Sequence, residues 1–298
     1  MGPTLALMAR RALPGEFRVL AVSRFADPAL RSRLEAAGIT TITADLLDRA
    51  ALAALPEAPN IVFMAGQKFG TAAVPPVTWA MNAVVPAFVA ERYAGRRTVV
   101  FSTGNVYPLT AVASGGPTET HPPAPVGEYA QSCLARERIF EHAAATRGTP
   151  VTIVRLNYAI DLRYGVLVDT ARRVREGLPV PLAMGYVNVI WQGDANARAL
   201  QCLALAATPA AVLNVTGAET VSLRWVAEQF GERFGRAPRF EGVEAPDALL
   251  SDARHSIALF GPPTVGLREM VAWTADWLER GGPLLGKPTM FEVRDGRF

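Results

Sequence analysis

The stretch Val99-Val100-Phe101-Ser102-Thr103-Gly104-Asn105-Val106-Tyr107-Pro108, followed by Gly127-Glu128-Tyr129-Ala130-Gln131-Ser132-Cys133, decides how this chain folds. Three apolar residues lead into two hydroxyl residues and a glycine. That is the pattern of a buried parallel strand delivering Ser102 and Thr103 at its carboxyl end. A loop follows, and then a helix with Tyr129 in its first turn. A hydroxyl donor and a phenol at the carboxyl edge of a parallel sheet suit polarisation and protonation of a substrate oxygen during hydride transfer.

Outward from that stretch, strand-like and helix-like runs alternate. Upstream, Pro3 to Ala12 reads as a helix with proline in its first turn and Gly2 at its entrance. Phe17 to Ser23 is a strand, and Asp27-Pro28 caps a helix reaching about Ala37. Ile39 to Ala44 is a second strand, Asp48 to Leu55 a short helix, and Asn60 to Gly66 a third strand. The run Val77 to Tyr93 is a longer helix that Pro75, Pro76 and Pro86 kink or delay, with Asn82 among apolar neighbours. Downstream of a proline- and glycine-rich loop, Tyr129 to Ala145 is helical and Val151 to Leu156 is a buried strand. The pattern then loosens. It gives helices at Val166 to Glu176, Asp194 to Ala207, Ser222 to Phe234 and Leu267 to Arg280, with strands at Val187 to Trp191 and Val212 to Val215. Such alternation predicts an α/β fold with right-handed crossovers and ligands at the carboxyl strand ends.

Composition narrows the classes. At 298 residues and 50% hydrophobic, the chain can bury a large core. Thirty basic against 27 acidic residues, without a basic run, leave no electrostatic footprint for nucleic acid. Cys133 and Cys202 offer neither metal spacing nor a disulfide framework, and His121, His142 and His255 lie far apart. The apolar segment from Leu203 to Leu213 is too short to span a bilayer, and Met1 to Arg11 makes a poor signal peptide. A cytoplasmic location is the default expectation.

Ser102, Thr103, Val106, Tyr107 and Tyr129 together resemble the extended short-chain dehydrogenase/reductase family, the NAD-dependent epimerases and dehydratases. That family ends its strand in Ser and Ser/Thr with Val-Tyr-Gly beyond, and opens its helix with Tyr-x-x-x-Lys. Trp191-Gln192-Gly193-Asp194-Ala195 and Leu213-Asn214-Val215-Thr216-Gly217 extend the likeness to about Gly242. The resemblance implies a Rossmann-like doubly wound parallel sheet with a smaller α/β substrate domain. Residues 1–160, with 187–210 returning, would bind dinucleotide, and residues 161–186 and 211–298 would form the substrate domain. It further implies Tyr129 as acid/base, Thr103 on the substrate oxygen and Asn82 in support. Ser102, Gly104, Asn105 and Asn157 would contact substrate. A two-fold homodimer through the helices Val77 to Tyr93 and Tyr129 to Ala145 is implied as well.

One position departs from the pattern: Cys133 stands where the family has its lysine. An ammonium there would hold the nicotinamide ribose and lower the phenol pKa; moving a tyrosine down from about 10 by two units is worth about 2.7 kcal/mol. Lys68, in Ala65-Gly66-Gln67-Lys68, is one of only two lysines and is the first candidate to share that role. Ala65, Gly66, Lys68 and Cys133 therefore join the expected cofactor contacts. At the end of the first visible strand the chain has Arg24 rather than an acidic residue, which favours a 2'-phosphate and hence NADP over NAD. Asp45-Leu46 resembles the pair flanking the adenine. Where sugar-nucleotide members carry an arginine for the diphosphate, this register places Val187, so a smaller substrate such as a free sugar, sugar acid or keto compound is expected.

The chain opens at a helix, with Gly2 in the place of the third glycine of a Gly-x-x-Gly-x-x-Gly turn. The expectation is that a first strand and two glycines are encoded upstream of Met1. Two readings follow from the residues: an NAD(P)-dependent oxidoreductase, epimerase or dehydratase, or a non-catalytic dinucleotide-binding protein in which Cys133 marks lost chemistry. The tail, 281–298, carries no readable pattern and leaves room for a third, a subunit of a hetero-complex.

Overall fold

The computed structural model describes residues 1–68, 70–287 and 289–297. The chain divides into two compact units. The first comprises Met1–Phe101, Ser132–Val154 and Asn196–Ala211, and the second Ser102–Gln131, Arg155–Ala195 and Val212–Phe298.

The first unit is built on short capped elements. Helix α1 (Gly2–Ala12) buries Leu5, Ala6 and Ala9. Strand β1 (Leu20–Ser23), helix α2 (Pro28–Ala36) and strand β2 (Thr40–Thr43) follow, with β1 and β2 parallel and Leu20 opposite Thr40. The Asp27 carboxylate accepts from Ala29 N and Leu30 N, and Asp48 caps α3 (Arg49–Ala53) in the same way, so each start predicted from an aspartate is fixed locally. Ala6, Leu34 and Ile39 form a small core between these elements. Strand β3 (Asn60–Phe63) is shorter than the sequence suggests, leaving the ladder before Met64-Ala65-Gly66. The long helix is a composite: α4 (Pro75–Trp79), a π turn at Ala80–Val84, and α5 (Val85–Arg92). Pro86 has no N–H to donate to the carbonyl four residues back, and the ladder widens just before it, at the turn that carries Asn82.

Strand β4 (Arg97–Thr103) runs from the first unit into the second and pairs in parallel with β3, Phe63 opposite Val100. After β5 (Thr110–Ala111) come α6 (Gly127–Arg147), which begins in the second unit and continues in the first, and β6 (Val151–Leu156). In β4 only Arg97 is exposed and in β6 only Leu156 is half-buried, as continuous apolar runs of a sheet covered on both faces require.

The second unit continues with β7 (Ala159–Ile160), α7 (Val166–Glu176), β8 (Pro179–Pro181), β9 (Tyr186–Val187) and β10 (Ile190–Trp191). Helix α8 (Gln192–Gln201) leads back to the first unit, and β11 (Ala211–Val215) completes a four-stranded sheet of order β11-β6-β4-β3. Then come β12 (Val221–Ser222), α9 (Leu223–Phe234), β13 (Arg239–Glu241), β14 (Asp247–Ala248), α10 (Arg254–Phe260) and α11 (Leu267–Glu279). Helices α7, α9 and α11 share one core through Leu167, Ala171, Phe230, Met270 and Leu278.

The single strand expected at Val187 to Trp191 is two. β9 pairs antiparallel with β12 and β10 parallel with β7, because buried Asn188 breaks the run. Its Nδ2 donates to Glu219 O at 3.1 Å and its Oδ1 accepts from Ser251 N at 2.8 Å. The tail is a strap on the second unit. Thr289 N and Oγ1 donate to Asp169 Oδ2 at 2.9 and 2.6 Å, Phe291 is buried in the helical core, and Arg294 Nη1 donates to Ala183 O and Asp247 O. The strap ends with Gly296 against Gly127 at the start of α6. Both have positive φ, and a Cβ on either would collide with the other's backbone region. Among the described residues, no helix is long and apolar enough to cross a membrane.

Candidate active site

In the first unit, the site residues gather where β3 and β4 end. Asn82 is fully buried, and its two polar atoms are divided among four neighbours. Oδ1 accepts from Gln67 N and Arg136 Nη2, each at 2.8 Å; Nδ2 donates to Gln67 O and Ser132 Oγ, each at 2.9 Å. The π turn thereby fixes the loop after β3. Gly66 lies over this cluster, and a Cβ there would sit 2.5 Å from Arg136 Nη2 and 2.8 Å from Asn82 Oδ1. Only a bare backbone fits. Arg136 also donates from Nη1 to Phe101 O at 2.8 Å. Cys133, one turn before it on α6, is buried. Arg136 is absent from the residues expected from sequence, although Tyr129, Cys133 and Arg136 share the i, i+4, i+7 spacing of one helix face.

In the second unit, Ser102 and Thr103 are buried at the end of β4. The Thr103 hydroxyl accepts from Asn105 N at 3.2 Å and donates to Asn105 Oδ1 at 2.9 Å, capping a single 3-10 turn at Gly104–Val106. Gly104 packs on the side chain of Asn157 and on Ser251 Oγ; a Cβ there would approach them to 3.1 and 3.0 Å. Asn157 N donates to Val215 O at 3.0 Å, and its Nδ2 reaches Leu249 O at 3.4 Å. Tyr129 is half-buried on the first turn of α6.

The remaining candidates lie outside these clusters. Gly2 opens α1, and a Cβ added to it would meet nothing within 4 Å. Arg24 is exposed after β1, Asp45 accepts from Leu47 N at 3.0 Å in a local turn after β2, and Leu46 is half-buried beside it. Ala65 and Lys68 belong to the loop that carries Gly66 and are half-buried. Among the described residues no group of histidine, cysteine and carboxylate side chains could hold a metal.

A dinucleotide fits this chemistry on two observations from the first unit. The backbone at Gly66 is bare because a side chain cannot be placed there, and Arg136 Nε is a buried donor with no partner among the described residues. Oxygen-rich ligands are what such groups bind at the carboxyl ends of parallel strands.

Residues 6–180 match the NAD dependent epimerase/dehydratase family. No curated protein matches the sequence. Among solved structures, the fold is similar to MoeE5 in complex with UDP-glucuronic acid and NAD, at 21% identity and a TM-score of 0.78, covering 94% of this chain and 96% of that one. It is also similar to UDP-glucuronic acid 4-epimerase from Bacillus cereus in complex with NAD, at 17% identity and a TM-score of 0.78 over 94% and 95% of the two chains. A third is UDP-glucose 4-epimerase from Thermus thermophilus in complex with NAD, at 21% identity and a TM-score of 0.76 over 93% and 96%. A Rossmann-like α/β fold is thus established.

Two expectations are corrected by these comparisons. Arg24 favours NADP over NAD in the sequence, but the dinucleotide in those three structures is NAD. Arg24 is exposed, so solvent and salt screen its charge and weaken its preference for a 2'-phosphate. Val187, standing where an arginine is sought, argues in the sequence against a sugar nucleotide, but the neighbours are bound to, or named for, UDP-sugars. Val187 is a fully buried core residue of β9, so its lack of charge carries no information about a ligand.

Proposed function

The chain belongs to the NAD dependent epimerase/dehydratase family, and from that premise we propose that it is an NAD-dependent enzyme acting on a nucleotide-linked sugar, with Tyr129 as its acid/base. The observation that carries this reading is the buried hydroxyl terminus of β4: Thr103, 6% exposed, presents its side chain at the carboxyl end of the central sheet. When bound, NAD supplies reversible hydride acceptance. Tyr129 Oη takes the proton of the substrate hydroxyl as that carbon is oxidised and returns it on reduction. The Thr103 hydroxyl, now donating to Asn105 Oδ1, turns to the same substrate oxygen, and Asn105 keeps the strand end capped through its own N–H. Asn82 holds the loop after β3 at the height where Gly66 leaves its backbone open.

The test is turnover of UDP-glucose and UDP-glucuronic acid by purified protein with NAD, followed by NMR of the sugar ring. Tyr129→Phe should lower turnover by a factor of about 100 or more, the usual scale for a lost general acid/base, while NAD affinity stays within a few-fold. Unchanged turnover would remove Tyr129 from the chemistry. Buried Cys133, in the lysine position of Tyr-x-x-x-Lys, supports a second reading, a non-catalytic dinucleotide-binding protein. Tight NAD binding with no Tyr129-dependent conversion of either sugar nucleotide would select that reading.

A further inference from the structure

Arg136 is 5% exposed on α6, and the acceptors of its hydrogen bonds are neutral: Phe101 O from Nη1 and Asn82 Oδ1 from Nη2, both at 2.8 Å. Its Nε is buried without a partner, and no carboxylate forms an ion pair with it among the described residues. A guanidinium taken out of water normally finds a counter-charge, because two carbonyl-type oxygens do not replace the hydration of a full cation. Nη2, whose second N–H accounts for none of these bonds, lies beside Gly66, where the absence of a side chain leaves the guanidinium its room. The Phe63 ring flanks it, with the guanidinium carbon 5.7 Å from the ring centre. The group is therefore held in place, charged and only partly satisfied.

Its position says what completes it. Phe101, whose carbonyl it grips, immediately precedes Ser102 and Thr103 on β4, and Gly66 follows the carboxyl end of β3. The carboxyl ends of parallel strands are where a dinucleotide binds in an open α/β sheet. We propose that Arg136 is the cation of the cofactor site, binding a ribose or phosphate oxygen on the nicotinamide side of NAD. On this helix face, Cys133 offers no charge and Arg136 lies one turn further along. The guanidinium keeps Asn82 and the Phe101 carbonyl in place with two prongs and meets the ligand with the rest. The inference rests on the NAD reading given above and assigns its cationic contact; the half-exposed Lys68, the cation expected from sequence, is not needed for it.

Calorimetric titration of the full chain with NAD, ADP-ribose and AMP tests this without any turnover. Arg136→Gln should weaken NAD and ADP-ribose by about tenfold or more, the scale of a lost charge-assisted hydrogen bond, and leave AMP within about twofold. Arg136→Lys keeps the charge but loses the fork that grips Phe101 O and Asn82 Oδ1, so it should bind NAD more tightly than the glutamine variant and less tightly than wild type. Wild-type affinity for NAD in the glutamine variant would overturn the inference. Equal losses for NAD and AMP would overturn it too, since that marks general damage. Should the glutamine variant not fold, a folded Arg136→Met variant with wild-type NAD affinity would overturn the inference. Failure of the wild-type chain to bind NAD would sink the cofactor reading itself, a different result from any of these.

Discussion

Of the three buried arginines among the described residues, Arg155 in the second unit and Arg136 in the first face opposite circumstances. Arg155, in the second unit, donates from Nη1 to Tyr107 Oη at 2.7 Å and toward Glu119 O at 3.4 Å, with its guanidinium carbon 4.8 Å from the centre of the Tyr107 ring. Tyr107 Oη donates in turn to Asn214 Oδ1 at 2.9 Å, and Asn214 Nδ2 donates to Pro117 O and Asp252 O. The Glu119 carboxylate accepts from Asn214 N at 2.9 Å. Each polar group in that knot answers another, and the knot ties the loop after β4 to β6, β11 and the segment before α10. Arg136, in the first unit, holds two neutral oxygens and leaves Nε unanswered. A satisfied buried charge fixes a fold; an unsatisfied one is poised for something the fold does not contain.

On that contrast, the largest loss of stability comes from Arg155. Arg155→Ala should destabilise the protein by about 3 kcal/mol in urea unfolding, because it removes charged hydrogen bonds inside a buried network, and should leave NAD affinity within about twofold. An NAD affinity that collapses in the folded variant would break the comparison. Asn214→Ala should cost about 2 kcal/mol, since the Tyr107 O–H loses its acceptor and the carbonyls of Pro117 and Asp252 lose the Asn214 donor in a buried region. Its unfolding midpoint should fall without a change in m-value.

Gly66→Ala tests the other side. The new methyl would lie 2.5 Å from Arg136 Nη2, so the guanidinium or the loop must shift. NAD affinity should drop by about tenfold with stability lowered by only about 1 kcal/mol, the reverse of the Arg155 pattern. A variant that binds NAD normally would show the bare backbone is not part of the cradle.

The smallest effect is electrostatic. Burial would raise the Asp161 carboxyl, but hydrogen bonds from Arg163 N at 2.8 Å and Nη2 at 2.7 Å outweigh it and hold the group below the usual carboxylate range. Its stabilisation is therefore complete above that range and disappears as the pH falls through the lowered value. Asp161→Asn should cost about 1 kcal/mol at pH 7 and nothing once the wild-type carboxyl is protonated, measured as unfolding free energy against pH. A cost that persists unchanged in acid would assign the loss to packing.

Much of the architecture is readable in the sequence because its determinants are local. Asp27 and Asp48 cap helices two and three residues away, Gly177 ends α7 with positive φ, and the apolar runs of β4 and β6 announce strands covered on both faces. The hydroxyl pair at the end of β4 and the tyrosine at the start of α6 are legible for the same reason. Where the sequence misleads, position relative to distant chain is at stake. Val187 reads as a place that could carry a charge, and it lies in the core against β12. Asn188 splits a strand by bonding Glu219 and Ser251, which no window around it contains. The tail carries no signal, because its anchors are single residues, Thr289, Phe291 and Arg294, spaced along an irregular segment.

By itself, the sequence determined the alternation of strands and helices, where the capped helices begin, and which residue types stand at the strand end and first helical turn. These depend on side-chain period and on hydrogen bonds spanning a few residues, and both are properties of a short window. The tertiary structure alone decided which polar residues are answered. Arg136 meets Phe101 across 35 positions and Asn82 across 54, and Tyr107 meets Asn214 across 107. Whether a buried charge is paired depends on where those distant oxygens come to rest, and a guanidinium in a helix reads the same in sequence whether it closes a network or waits for a ligand.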